Sequence, residues 1–217
     1  MAFHKPSPER DAWITGIGLV TALGEGLDAH WAALNGTRED WLKLDTTTYA
    51  PYQLHPAVAI DVARQIPDRG DRRQMEAWQR LGTYAAGLAL DDAGVKGNDD
   101  LLKRMHMIVA AGGGERDYAV DGQILTGLET AEAPGPFLNE RLMNDLRPTL
   151  FLAQLSNLLA GNISIVHGVV GSSRTFMGEE MAGVDAVRVA LARCHAGQGD
   201  LFLVGGAYSA ERPDTLL

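Results

Sequence analysis

Short apolar runs that stop at glycine, separated by segments of helical period, constrain this chain more than any other feature of its sequence. Residues 106–111 form such a run, closed by Gly112, Gly113 and Gly114, and residues 201–204 form another, closed by Gly205 and Gly206. Elsewhere apolar residues recur at three- and four-residue spacing. Met75, Trp78, Leu81, Ala85, Leu88 and Leu90 do so over 73–93, and Val184, Val187, Leu191 and Cys194 over 179–195. Apolar runs of four to six residues bounded by turn residues read as strands covered on both faces. Strands alternating with helices read as a layered α/β fold.

The remaining elements follow the same logic. Residues 12–20 are apolar and β-branched around Gly16 and Gly18, which predicts a buried strand entering a tight turn. Leu27, Trp31 and Leu34 share one helical face, and Asn35-Gly36 closes that helix. Residues 37–70 hold Pro51, Pro56 and Pro67 without a sustained period, so a long connection with short elements is expected. Short helices are expected over 123–128 and 139–144, and a helix from Pro148 to Ala160 ending at Gly161. Residues 163–166 and 175–177 read as short strands about the turn residues Gly168 and Gly171.

Composition excludes several classes of function. The chain has 217 residues, enough for one sizeable domain, and a net charge of −9. It therefore has no general electrostatic footprint for nucleic acid or anionic membranes. Arg69, Arg72 and Arg73 are the only concentrated basic group, and a solvated loop explains them. The polar first ten residues lack the apolar core of a signal peptide, and no apolar stretch reaches the ~18 residues of a membrane span. A cytoplasmic protein is the expectation. The single cysteine, Cys194, rules out an internal disulfide framework and a cysteine-rich metal site.

Familiar catalytic patterns fail in turn. Thr15-Gly16-Ile17-Gly18 suggests a dinucleotide-binding turn, but Thr21 stands where the third glycine is needed, and no ribose-binding acid follows at the required distance. Gly171-Ser172-Ser173-Arg174 lacks the spacing of a nucleophile elbow. The six histidines show no zinc-ligand spacing. His4, His30 and His55 fall on expected surface or loop segments, while His106 and His167 read as structural. No cofactor and no metal is expected.

The stretch 157–206 is the informative one. It resembles the N-terminal half of the β-ketoacyl-acyl-carrier-protein synthases, of the elongating type that also includes polyketide ketosynthases. In that family an N-x-x-A-G segment leads through a strand and glycine turn to a second strand. An alanine-cysteine-x-x-glycine motif then opens a buried helix, followed by a strand ending in Gly-Gly. Here Asn157, Ala160 and Gly161 match the first part, Gly168 and Gly171 the turn, Gly183 the glycine after the nucleophile, and Gly205-Gly206 the end. Upstream, residues 14–18 with Gly24, 75–82 and 112–114 look like the family's first strand, long helix and glycine-rich strand end. The resemblance implies a thiolase-like fold, of which residues 1–217 would be the N-terminal half.

Two departures qualify what the resemblance implies. Counting back from Gly183, the nucleophile position holds Glu180, and Glu179 precedes it where the family has alanine. Condensation needs a thiolate there, activated by the helix N-terminus, to hold the acyl chain as a thioester. A carboxylate would have to form a highly reactive anhydride. Cys194, near the far end of the same helix and on its apolar face, reads as a buried, inert thiol. Glu180 either satisfies the first turn, worth roughly 0.3–1 kcal/mol, or blocks the mouth of an acyl pocket. Both readings predict no condensation.

The second departure is length. Family members continue with a second half that carries the histidines of malonyl decarboxylation. Without it, helix 179–195 would expose one apolar face. By resemblance the expected partners are an acyl carrier protein or acyl thioester and a synthase subunit in a homo- or heterodimer, with 175–177 at the two-fold. The expected role is that of a non-condensing, chain-length-factor-like subunit. The alternatives are an active synthase that uses another residue or a partner's thiol, and a nucleotide-binding α/β module.

Overall fold

Residues His106–Ala111 carry no charge along their length and bury both faces, so they occupy the centre of a sheet. The computed structural model describes residues 11–36, 43–112, 114, 117–148, 150–178, 181–211 and 216. In chain order its elements are β1 (Val20–Thr21), β2 (Gly24–Glu25), α1 (Gly26–Leu34), a 3-10 turn (Val62–Arg64), α2 (Arg69–Gln74), α3 (Ala77–Asp92), α4 (Asp99–Leu102) and β3 (His106–Ala111). These are followed by α5 (Tyr118–Thr130), α6 (Pro134–Asn144), α7 (Leu150–Ala153), α8 (Leu158–His167), β4 (Ser173–Phe176), α9 (Ala182–His195) and β5 (Phe202–Ala207).

The parallel sheet has the order β4-β3-β5. Met107 lies opposite Ser173 and Leu203, and Ala110 opposite Phe176 and Gly206. Because successive side chains leave a strand on opposite faces, β3 serves two cores. Met107, Val109 and Ala111 pack with Trp78 and Leu90 of α3 and with Leu159 and Ile163 of α8. Ile108 turns to the other face and packs with Ala186 and Ala190 of α9. The result is the expected layered α/β arrangement, with α3 and α8 on one face and α9 on the other.

Four expectations are corrected. The strand over 12–20 does not form: only Val20–Thr21 pairs, antiparallel, with Gly24–Glu25. The preceding residues lie instead against α3, where a Cβ at Gly16 would come within 2.4 Å of the Ala89 carbonyl oxygen and one at Gly18 within 2.0 Å of the Ala85 carbonyl oxygen. The helix over 73–93 is two helices. Glu76 and Gln79 make a capping box that starts α3 afresh, so Met75 is extended and tucked into the core.

Residues 163–166 belong to α8 and not to a strand, since Leu159, Ala160, Ile163 and His167 share one buried helical face. The helix expected to end at Gly161 runs through it to Gly168, whose φ of 75° suits a left-handed cap. Pro148 precedes only the short α7, which the 154–157 turn separates from α8.

Smaller differences follow from packing. Helix α1 forms where expected but buries His30 and Ala33, leaving Leu27, Trp31 and Leu34 exposed. His30, expected at the surface, donates from Nδ1 to the Gly26 carbonyl (2.7 Å) and accepts the Thr21 hydroxyl at Nε2 (2.8 Å). The basic group lies in α2, not in a loop, and Arg72 donates to the carbonyls of Ile66 and Pro67. His4 lies outside the described residues. No helix among the described residues is long and apolar enough to cross a membrane.

Candidate functional site at the carboxyl ends of the strands

Parallel strands deliver their following loops to one end of a sheet, and in open α/β sheets ligands bind there. The register places the ends of the three strands together: Ala111 is opposite Ala207, and Ala110 opposite Phe176. Gly112 and Gly114 follow β3, Met177 and Gly178 follow β4, and Tyr208 follows β5. Gly178 has φ 146°, a conformation that favours glycine, and it leads towards the amino end of α9. Gly114, at φ 79°, would bring a Cβ to 3.0 Å from Gln154 Oε1, so the turn after β3 passes close to the residue that follows α7.

Helix α9 opens with Met181 as N-cap and a buried Ala182, while a Cβ at Gly183 would meet open space. Its sequence suits its dipole, with Asp185 in the first turn and Arg193 and His195 in the last. Glu179 and Glu180 lie outside the described residues. In sequence they stand between Gly178, two residues after the end of β4, and the amino end of α9.

Cys194 sits twelve residues beyond Ala182, about 18 Å along the helix at 1.5 Å per residue. It does not reach the amino end, and it is half-buried, not buried as its apolar setting suggested. The reason is the choice of face. Helix α9 packs through Ala182, Ala186 and Ala190, whose small side chains allow close approach to the sheet. Val184, Val187 and Leu191 point outward and are 42–57% exposed, and Met181 is 60% exposed. An apolar face of α9 is thus open to solvent among the described residues.

The other matched glycines have distinct tasks. A Cβ at Gly171 would lie 2.2 Å from the Met105 carbonyl oxygen, so this turn needs glycine to reach β4 past the start of β3. Gly205 and Gly206 lie inside β5, which continues to Ala207, and a Cβ at Gly206 would crowd the Ala110 carbonyl at 2.9 Å. Asn157 is the N-cap of α8 without a side-chain cap, and Ala160 is buried beside Leu159.

Polar contacts that the sequence did not reveal join residues far apart in the chain. At the amino ends of the strands, Ser172 N–H donates to His106 Nδ1 (3.2 Å), and Arg193 lies over the Phe202 ring at 5.3 Å. Glu25 accepts the Tyr84 hydroxyl at 2.8 Å and the Arg64 guanidinium at 2.8 and 3.1 Å. Burial, then the neighbouring Glu25 carboxylate, push the Tyr84 hydroxyl up to about 12. None of these contacts has a signal in local spacing. No cluster of three or more metal-ligating side chains occurs among the described residues.

This architecture is the thiolase-like fold. It superposes on the ishigamide ketosynthase/chain length factor structure with a TM-score of 0.68 at 21% identity, covering 93% of this chain and 48% of that one. The family model for the β-ketoacyl synthase N-terminal domain matches residues 9–217, and the chain belongs to that family.

Two relatives are informative. The 3-oxoacyl-[acyl-carrier-protein] synthase 2 of Vibrio cholerae is 24% identical over 94% of this chain and 47% of its own length. The tetracenomycin polyketide synthase ketoacyl synthase beta subunit of Streptomyces glaucescens is 28% identical over 92% of this chain and 46% of its own length. The chain spans about half the length of the curated relatives it matches.

Proposed function

We propose that the protein is a non-condensing subunit of fatty-acid or polyketide synthesis that pairs with a cysteine-bearing synthase and helps shape its acyl cavity. One observation carries this reading: the only cysteine of residues 1–217 stands at the carboxyl end of α9, about 18 Å from the helix amino end where the family holds its nucleophile. Glu180 takes the nucleophile position by sequence, with Glu179 before it and Gly183 after it. A carboxylate offers no sulfur on which an acyl group could be held as a thioester.

The relatives fit both members of such a pair, because one is named a synthase and the other a beta subunit. Strand β4 lies at an edge of its sheet, so its outer edge is available to pair with a partner's strand. Residues 1–217 act in this reading as the N-terminal half of a longer cytoplasmic polypeptide. A second half covers the open face of α9, and the acyl chain arrives on an acyl carrier protein.

The test is intact-mass analysis of the full-length protein, alone and with its partner synthase, after incubation with an acyl-carrier thioester. The acyl mass is expected on the partner and not on this chain. An acyl adduct on this chain, or carbon dioxide released from a malonyl carrier by this chain alone, overturns the proposal and favours an active synthase that works through another residue.

A further inference from the structure

We infer that the excursion running from α5 to α7 is a hinged arm at the carboxyl ends of the strands, and that an ion pair between Arg147 and Glu76 latches it to α3. Its place follows from the contacts of α3. A Cβ at Gly82 would fall 2.6 Å from that of Ala207, the last residue of β5, and 2.7 Å from Leu159 at the start of α8. A Cβ at Gly87 would fall 2.7 Å from the ring of His167, the last residue of α8. Four residues beyond His167, Gly171 abuts the Met105 carbonyl just before β3. Helices α3 and α8 therefore both run from the carboxyl ends of the strands towards their amino ends. The chain leaves β3 and enters α8 at the same end of the sheet, the one that holds the candidate site.

The arm between those two points is lightly held. Of α5 only Ile124 is buried, and of α6 no residue is buried. The two helices pack on each other, where Gly127 makes room for an aromatic ring: a Cβ there would fall 2.4 Å from Phe137 Cζ. Segments with few buried apolar contacts open at a fraction of the cost of global unfolding. The two ends of the arm meet at a neck, where Gly114, at φ 79°, lies against Gln154. A glycine in that conformation is a natural hinge point.

Arg147 lies between α6 and α7, and its Nη2 contacts Glu76 Oε1 at the amino end of α3. The Glu76 side chain is 9% exposed and that of Arg147 39%. Arg147 apart, Glu76 Oε1 has no polar partner among the described residues. The rest of the carboxylate is committed to α3, since Glu76 accepts the Gln79 backbone N–H in the capping box. Arg141, the arm's other cation, pairs within the arm, with Glu140 and Asp145. Opening the arm thus breaks a charge-assisted contact, which is stronger than a bond between neutral groups. With the arm shut and Arg147 absent, a buried carboxylate would stand without its cation, which is costly.

The test is hydrogen exchange of the full-length protein, read by peptide mass. Glu76→Gln keeps an acceptor for the capping box and removes the charge. It should speed exchange in the peptides of α5 and α6 about tenfold, the difference between a charge-assisted and a neutral bond, and leave β3 unchanged. Arg147→Gln should do the same, and Arg147→Lys should restore part of the protection. Added salt should speed exchange of the arm in the wild type, through screening of the half-exposed guanidinium, and should not do so in Glu76→Gln. If Glu76→Gln does not fold, the two Arg147 variants and the wild-type salt series decide. Unchanged exchange of α5 and α6 in the variants overturns the inference. So does equal acceleration of the arm and β3, which would make the pair a support of the whole fold. These outcomes are independent of whether the protein condenses acyl chains.

Discussion

Gly18→Ala should destabilise the protein severely, because the residue spends its missing side chain on contact with α3. An added Cβ would lie 2.0 Å from the Ala85 carbonyl oxygen and 2.7 Å from the Ala89 amide nitrogen. Ordinary contact begins near 3.4 Å, so the segment must lift by more than an ångström. Both obstructing atoms are helix backbone, which cannot rotate aside as a side chain can. Overpacking costs typically 1–3 kcal/mol, and an obstruction of this kind belongs at the upper end, about 3 kcal/mol.

For a chain of this length that corresponds to a fall of roughly 6–12 °C in Tm, read by scanning calorimetry on the full-length protein and scaled to its size. Gly122→Ala in α5 is the control. Nothing lies within 4 Å of its added Cβ, so it should stabilise by about 0.5–1 kcal/mol through helix propensity. Equal stabilities for Gly18→Ala and wild type would refute the packing role of this segment. They would also reopen the reading of Gly16 and Gly18 as a ligand-binding turn.

Three further outcomes are expected. Ile108→Ala, at a fully buried position between β3 and α9, should cost about 2–5 kcal/mol in urea unfolding. Tyr84→Phe should cost about 1 kcal/mol by removing the donor to Glu25. In the wild type the tyrosine's contribution should be complete below its unfolded value of about 10 and lost as pH rises through its folded value of about 12, which alkaline unfolding of the two proteins side by side would show. Glu180→Cys should create an acyl acceptor detectable by intact mass after incubation with an acyl thioester, whereas Cys194→Ser should leave acylation unchanged.

Local chemistry determined the strands and helices whose pattern is self-contained. The β3 run, the helices around 123–128 and 139–144, α9 and β5 were all legible, since each is bounded by glycine, proline or polar residues. The motif order also gave the family. What failed was every reading that depended on a neighbour. Residues 163–166 have β-branched chemistry, yet α8 claims them because Ile163 and His167 complete a buried helical face with Leu159. Residues 12–19 have strand chemistry but no sheet partner among the described residues, and their glycines serve α3 instead.

The division follows from the range of the interactions. Periodicity, capping and glycine conformations act within a few residues, so the sequence by itself determined the α/β alternation and the place of the single cysteine towards the carboxyl end of α9. Which helix face is buried depends on what lies across it. Only the tertiary structure decided that α9 meets the sheet through its alanines, leaving Val184 and Val187 outside. It also decided that His167 meets Thr83 across 84 residues of chain. Such contacts arise when loop-closed segments are brought together, and no local spacing encodes them.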